Sequence, residues 1–305
     1  ETQKDPEVIK LLVKAGANLN AVTDTFEMNA LMFACRENSN PDIITTILDL
    51  GSDINGRDSL GRTPLMWAGR NNLEVLKVLI NRGAKVDDWS RDGVTPLMFF
   101  AEKNTDPRTL TTLLDLGAKI YSRDEDGYNA LMYAAWDRSW DVVKVLLNAG
   151  PGNVDRRNDD GTSALLIAAE GNADARVIEA LLDAGARIDD RDNDGRTPLL
   201  LAAKRNSNPG VIELLLSRGA RISEKDNEGN NALMIAARGN SNYKIMELLL
   251  KKGISIDARN NAGMTALMFA AWLSKTPEVV DTLLKAGANP KLKNAYGETA
   301  VDMIK

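Results

Sequence analysis

The sequence predicts an all-α helical-repeat solenoid with hairpin-turn fingers, and three observations predict it. First, a segment of the type "TPLMWA" recurs with its leucine at Leu31, Leu65, Leu97, Leu131, Leu165, Leu199, Leu233 and Leu267, every 34 residues apart from one interval of 32. Second, each copy divides into the same polar turn, short helix and second helix. Third, paired small residues follow the apolar residues of each first helix. A unit of this size cannot bury both of its apolar faces alone, so stacked neighbours must complete the core.

The turn ends in glycine at Gly61, Gly93, Gly127, Gly161, Gly195, Gly229, Gly263 and Gly297. Segments such as "RDEDG" and "RDNDG" carry hairpin-turn chemistry, in which glycine takes a positive φ without a Cβ clash. The first helix opens on Thr63-Pro64, Thr95-Pro96 or Thr197-Pro198, or on Asn or Ser before Ala. There the side chain caps free N–H groups, and proline suits the first helical position. Second helices open on Asn40-Pro41, Asp106-Pro107, Asn208-Pro209 and Thr276-Pro277 and close on a glycine such as Gly83, Gly185 or Gly253. Pairs such as Ala134-Ala135, Ala168-Ala169 and Ala202-Ala203 let neighbouring helices approach to about 8–10 Å. The expected organisation is a partial repeat over 1–22, eight repeats over 23–292 and a partial repeat over 293–305, forming one continuous solenoid.

The segment "DGRTPLMWAGRNNLEVLKVLINRGAKV" and its copies resemble ankyrin repeats over essentially the whole chain. The turn glycine, Thr-Pro-Leu, Ala-Ala, Leu-Leu and Gly-Ala recur in register, which makes the resemblance specific. One departure runs throughout: the histidine usual after Thr-Pro-Leu is Met32, Met66, Met98, Met132, Leu166, Leu200, Met234 or Met268. Apolar packing is expected to replace the family's inter-repeat histidine hydrogen bonds, with this stripe in the inter-repeat core. The loops "NSNP", "NTDP" and "SKTP" carry an extra residue. Phe100 fills a slot that otherwise holds alanine, so an irregular stack is expected at the third repeat.

Composition narrows the chemistry. The net charge of −5 gives no reason to expect nucleic acid as partner. No apolar run approaches the roughly 18 residues needed to span a bilayer. No signal peptide is visible, although the chain begins with Glu1 in mid-repeat, which leaves room for an upstream segment. The single cysteine, Cys35, excludes an internal disulfide and fits a reducing compartment, so the expected location is cytoplasmic. With no histidine in the chain, histidine-dependent triads and histidine metal sites are impossible.

Candidate sites for chemistry each meet a plainer explanation. Asp190, Asp192, Asp194 and Gly195 imitate the opening of a calcium loop, but Leu201 stands where its closing glutamate belongs and Pro198 lies inside. Cys35 lacks the usual base and occupies a small-residue slot. Asp87-Asp88 and Asp189-Asp190 read as turn residues. No phosphate-cradling glycine motif is present. The expectation is therefore a chain with no catalytic residues, metal or cofactor.

Resemblance to ankyrin proteins implies a partner protein or peptide on the concave side, made by finger tips and first helices. Slots that stacking leaves free to vary are then the informative ones. The slot after Ala-Ala contributes Arg70, Glu102, Trp136, Lys204, Arg238 and Trp272. The slot after the turn glycine contributes Arg62, Tyr128, Arg196 and Met264; Trp89 comes from a tip and Trp140 from a loop. Aromatic and arginine side chains are what interface hot spots are made of. Trp89, Tyr128, Trp136 and Trp140 are expected to form one patch, and Arg196, Lys204, Arg205 and Arg238 a basic stretch beside it. For Trp89 and Trp136 two roles stay open, partner anchor or a ring folded back over a helix end; Trp140 stands in a loop slot that often holds a packing leucine, which favours the structural role there. The slot holding Phe33, Trp67, Phe99, Tyr133, Ile167, Leu201, Ile235 and Phe269 is expected to be core. About nine layers at about 8–10 Å give a groove roughly 70–90 Å long, enough for a standard interface. A monomeric scaffold is the expectation, the alternative being a regulatory or targeting region of a longer protein.

Overall fold

Why the chain folds as paired short helices is visible at their ends. In the computed structural model, which describes residues 5–304 apart from 24, 38–39, 69–72, 104–105, 137–139, 240–241 and 274–276, the helices begin and end where the capping residues stand. The chain divides into two compact units, residues 1–134 with 141–153, and residues 135–140 with 154–305.

The first unit opens with α1 (Pro6–Lys14), capped by Asp5. It continues through α2 (Ala30–Glu37), α3 (Pro41–Asp49), α4 (Pro64–Trp67), α5 (Leu73–Asn81), α6 (Pro96–Glu102), α7 (Pro107–Asp115), α8 (Ala130–Ala135) and α9 (Trp140–Ala149). Asn40 and Asp106 accept the backbone N–H two residues on, at 2.9 Å each, and thereby open α3 and α7. The second unit contains α10 (Ala164–Gly171), α11 (Ala175–Asp183), α12 (Pro198–Arg205), α13 (Pro209–Ser217), α14 (Ala232–Gly239), α15 (Tyr243–Lys251), α16 (Ala266–Leu273) and α17 (Pro277–Lys285). Among the described residues there is no β-strand, only two isolated bridges, Arg157 with Ser163 and Lys225 with Asn231. The all-α repeat architecture is the one that periodicity predicts.

In the second unit α10, α12, α14 and α16 pack in series on one side, with the second helices along the other. Their alanine pairs allow this: Ala168, Ala169, Ala202, Ala203, Ala236 and Ala237 are all buried. The methionine stripe is core, with Met32, Met66, Met98, Met132, Met234 and Met268 each 1% exposed. Phe100 in the third repeat is fully buried, edge-on to Phe99 at 6.0 Å.

Beside this apolar packing, asparagine amides outside the methionine slot link neighbouring repeats. Asn172 Nδ2 donates to Ala135 O at 3.1 Å, and Asn206 Nδ2 donates to Ala169 O at 3.0 Å and Asn172 O at 2.9 Å. Asn208 and Asn242 reach back in the same way, to Ala173 O and Ser207 O. At two first helices the methionine sulfur itself accepts, Met98 from Thr95 N at 3.5 Å and Met268 from Thr265 N at 3.4 Å. The hydroxyl caps are less uniform than predicted. Thr95 and Thr197 cap their helices, whereas Thr63 Oγ1 is buried with no partner among the described residues. Thr276 lies outside the described residues.

Candidate functional site

The fingers bordering the first helices are held by their own hydrogen bonds, and most of these come from one kind of residue. Each turn starts with a short polar side chain that accepts the turn's own amides. Asp58 takes Leu60 N at 2.9 Å and Arg62 N at 2.8 Å; Asp192 takes Asp194 N at 3.0 Å and Arg196 N at 2.8 Å; Asn294 takes Tyr296 N and Glu298 N at 2.9 Å. Asp124, Asp226 and Asn260 repeat the pattern, and Ser90 Oγ takes Val94 N. Successive fingers are also joined through the main chain, as from Asn227 N to Asp194 O and from Asn261 N to Glu228 O, both 3.0 Å. Close stacking requires the glycine: at Gly195 (φ +76°) an added Cβ would lie 3.1 Å from Asn227 N.

The residue before that polar position makes a second set of links. Arg157 Nη1 donates to Gly161 O at 2.6 Å and to Arg191 O, and its other amine meets Asp190. Arg191 repeats this with Gly195 O at 2.5 Å, Lys225 O at 2.9 Å and Glu224. Arg57 does the same with Gly61 O, Trp89 O and Asp88. Asp190 and Asp192, which imitate a calcium loop in sequence, are thus engaged with Arg157, Ser163 and the turn amides. Trp89 occupies the slot that holds Arg57, Arg123, Arg157, Arg191, Lys225, Arg259 and Lys293 elsewhere. Its ring has no bridging role there and is 59% exposed.

In the first unit the slot assigned to the core is not core. Phe33, Trp67, Phe99 and Tyr133 are half-buried, one side against the helices and the other beneath side chains of the same face. The Arg36 guanidinium lies 5.0 Å from the Phe33 ring centre and 5.7 Å from that of Trp67; Arg62 lies 4.2 Å from Trp67. Trp67 meets Phe99 edge-on at 6.4 Å, and Lys103 Nζ stands 5.4 Å from Phe99. Asp58 ties this row to its finger, accepting from Arg62 Nε at 2.8 Å and Trp67 Nε1 at 3.2 Å. Tyr128 lies against Tyr133, whose hydroxyl donates to Asp124 at 2.6 Å. Burial and that hydrogen bond to a carboxylate push the Tyr133 phenol well above its usual range, so it stays a donor. Glu102 pairs with Lys103 at 2.8 Å. Trp89 borders a separate hollow between fingers, with Asp87, Arg91, Lys119 and Glu125.

The second unit arranges the same slots differently. Ile167, Leu201 and Phe269 are buried, whereas Ile235 is half-buried. Two open hollows adjoin, sharing Glu228, Arg238 and Phe269. One, of about 470 Å³, brings together Arg196, Lys204 and Arg238 over Met234 and Ile235. The other, of about 400 Å³, brings Met264 and Trp272 beside Tyr296. Arg196 is held by Asp192 at 2.6 Å and Asp194 at 2.9 Å, and Lys204 pairs with Glu170 at 3.0 Å. The basic stretch is therefore largely neutralised at home, Arg238 excepted among the described residues.

One of the sequence-derived positions sits otherwise than expected. Met264 is 7% exposed and forms hollow floor instead of a projecting contact: a long flexible apolar side chain folds under the turn and its sulfur accepts from Asn294 Nδ2. Trp140 is half-buried, with the Arg176 guanidinium 5.7 Å over its ring. Trp136 is 43% exposed but its ring stands over Gly171, where an added Cβ would come within 3.0 Å of it. Arg70 lies outside the described residues. Sequence reading missed Phe269, Ile235 and Glu298 as lining residues; Glu298 belongs to the slot after the turn glycine, so its register was the available signal. Cys35 is buried and that burial pushes its thiol far up, away from thiolate chemistry. No helix among the described residues is long and apolar enough to cross a membrane.

A family profile described as ankyrin repeats in three copies matches residues 2–90, 71–156, 141–226 and 205–294. The human neurogenic locus notch homolog protein 2 is 40% identical over 96 residues, 31% of this chain and 4% of that protein. Ankyrin repeat and SOCS box protein 6 of Pongo abelii is 31% identical over 100 residues, 30% of this chain and 24% of that protein. The Drosophila melanogaster Notch protein is 36% identical over 97 residues, again 31% and 4%. The chain spans a quarter or less of the length of these relatives.

Proposed function

Because this chain belongs to the ankyrin-repeat family, whose repeats serve as protein-interaction modules, we propose that it holds a partner protein or extended peptide on the concave side formed by finger tips and first helices. The observation that carries this reading is the pair of adjoining hollows in the second unit, where variable slots from successive repeats converge over an apolar floor. Open hollows of this kind suit side chains of an extended segment better than an enclosed small molecule. The first unit's row of rings and cations offers a further surface rich in the residue types that dominate interfaces. Hydrogen exchange with a partner recovered by pull-down tests the reading. Protection is expected at the fingers and first helices; protection confined to the second helices would overturn it.

Trp89 offers a separate check. Trp89→Arg restores the side chain that bridges neighbouring fingers elsewhere, with Gly93 O and Arg123 O as the equivalent acceptors. The stack is expected to gain about 1 kcal/mol in urea unfolding, while partner affinity falls because an exposed ring is lost. Unchanged affinity would remove Trp89 from the interface.

A second reading, a regulatory or targeting region of a longer polypeptide, is favoured by one observation: the relatives extend far beyond the matched segment. Sequencing the complete gene product decides it, since an added catalytic or membrane segment would support it and a chain of repeats alone would end it.

A further inference from the structure

Several aromatic rings of this chain carry a cation of their own: Arg36 and Arg62 lie over Trp67, Lys103 over Phe99 and Arg176 over Trp140. In the second unit, Trp272 (54% exposed) and Tyr296 (80%) stand at the rim of the hollow near the C-terminal end, and neither has a cation or ring partner among the described residues. Between them the floor is apolar: Met264, Phe269 and Met303 are all buried.

Charge sharpens the contrast. Two carboxylates line the hollow, Glu228 and Glu298, and each accepts only from a neutral amide, Asn230 Nδ2 at 3.1 Å and Asn294 Nδ2 at 2.9 Å. No cation among the described residues reaches either within ion-pair distance. Arg238 also lines the hollow and forms no ion pair among the described residues, leaving an excess of one negative charge. Ring faces and carboxylates together attract an ammonium or guanidinium, and the site lacks one.

Resting on the reading of this side as a peptide-binding surface, we propose that the hollow bounded by Trp272 and Tyr296 takes a lysine or arginine side chain of an extended partner segment. The cation lies against the rings and between Glu228 and Glu298, and an adjacent apolar side chain of the partner covers Met264, Phe269 and Met303. Arg238 opposes the incoming charge and fixes which way the segment runs.

Panning a phage-displayed library of random dodecapeptides on the full chain tests this. The enriched peptides should carry lysine or arginine next to a bulky apolar residue. Fluorescence anisotropy with one such labelled peptide should then show about a tenfold loss for Trp272→Ala. Glu228→Gln and Glu298→Gln should each cost about two- to fivefold, and Arg238→Gln should tighten binding by a similar factor. The melting temperature should stay unchanged; Tyr296→Ala replaces the tryptophan variant if that one unfolds. Enrichment of acidic peptides, with the charge variants acting in the opposite sense, overturns the proposal but leaves peptide binding intact. So does a basic peptide indifferent to all of these variants. Failure to enrich any peptide counts against both the hollow's role and the peptide-binding reading.

Discussion

Replacing Asn206 with leucine should destabilise the second unit by about 3 kcal/mol, read from the urea midpoint at constant slope. Asn206 is 1% exposed. Its amide donates to Ala169 O and Asn172 O, and its oxygen accepts from Asn208 N at 2.9 Å. Leucine has similar bulk, so no large cavity opens, but two buried carbonyls and one partly buried N–H lose their partners. Each orphan costs about 1–3 kcal/mol, and the apolar gain of the leucine offsets part of the sum. A loss below about 0.5 kcal/mol would show that the neighbouring groups find other partners and that the asparagines are incidental.

Phe100→Ala sets two effects against each other. Truncating a fully buried phenylalanine usually costs about 3–5 kcal/mol, and the cost falls when the site can collapse. Alanine is what the other repeats carry in this slot, as at Ala134 and Ala168, and between α10 and α12 the seam is close. The first unit should therefore lose about 2–3 kcal/mol, less than a typical core deletion, and α6 should move towards α8. Unfolding measurements give the first quantity, and a crystal structure of the variant gives the second. A more stable variant would mean that the ring strains its surroundings more than its burial contributes.

Periodicity made the architecture legible, because spacing of glycine, proline and leucine reports backbone conformation directly. The caps at Asn40, Asp106, Thr95 and Thr197 and the methionine core were readable for the same reason. What stayed hidden depends on side-chain direction. Apolarity could not distinguish a core slot from a ring exposed along one side, so Phe33, Trp67, Phe99 and Tyr133 were read as interior. The clue was present in the interleaved cations, Arg36 three residues after Phe33 and Lys103 four after Phe99. Met264 erred in the opposite sense, since a position free of stacking constraints can still fold inward. The roles of Asn172 and Asn206 stayed hidden because their repeat-to-repeat hydrogen bonds link positions more than thirty residues apart. Trp89 was visible as a tip aromatic, but its displacement of a bridging arginine emerges only once that bridge has been seen.

The polar residue that opens a finger satisfies the turn's amides without outside help, and within each unit the main chain ties one finger to the next. The tips therefore hold their conformation before any encounter, and little freedom remains to be lost on docking. New specificity can then arise by exchanging outward side chains on an unchanged lattice of evenly spaced attachment points, with no need to rebuild a loop.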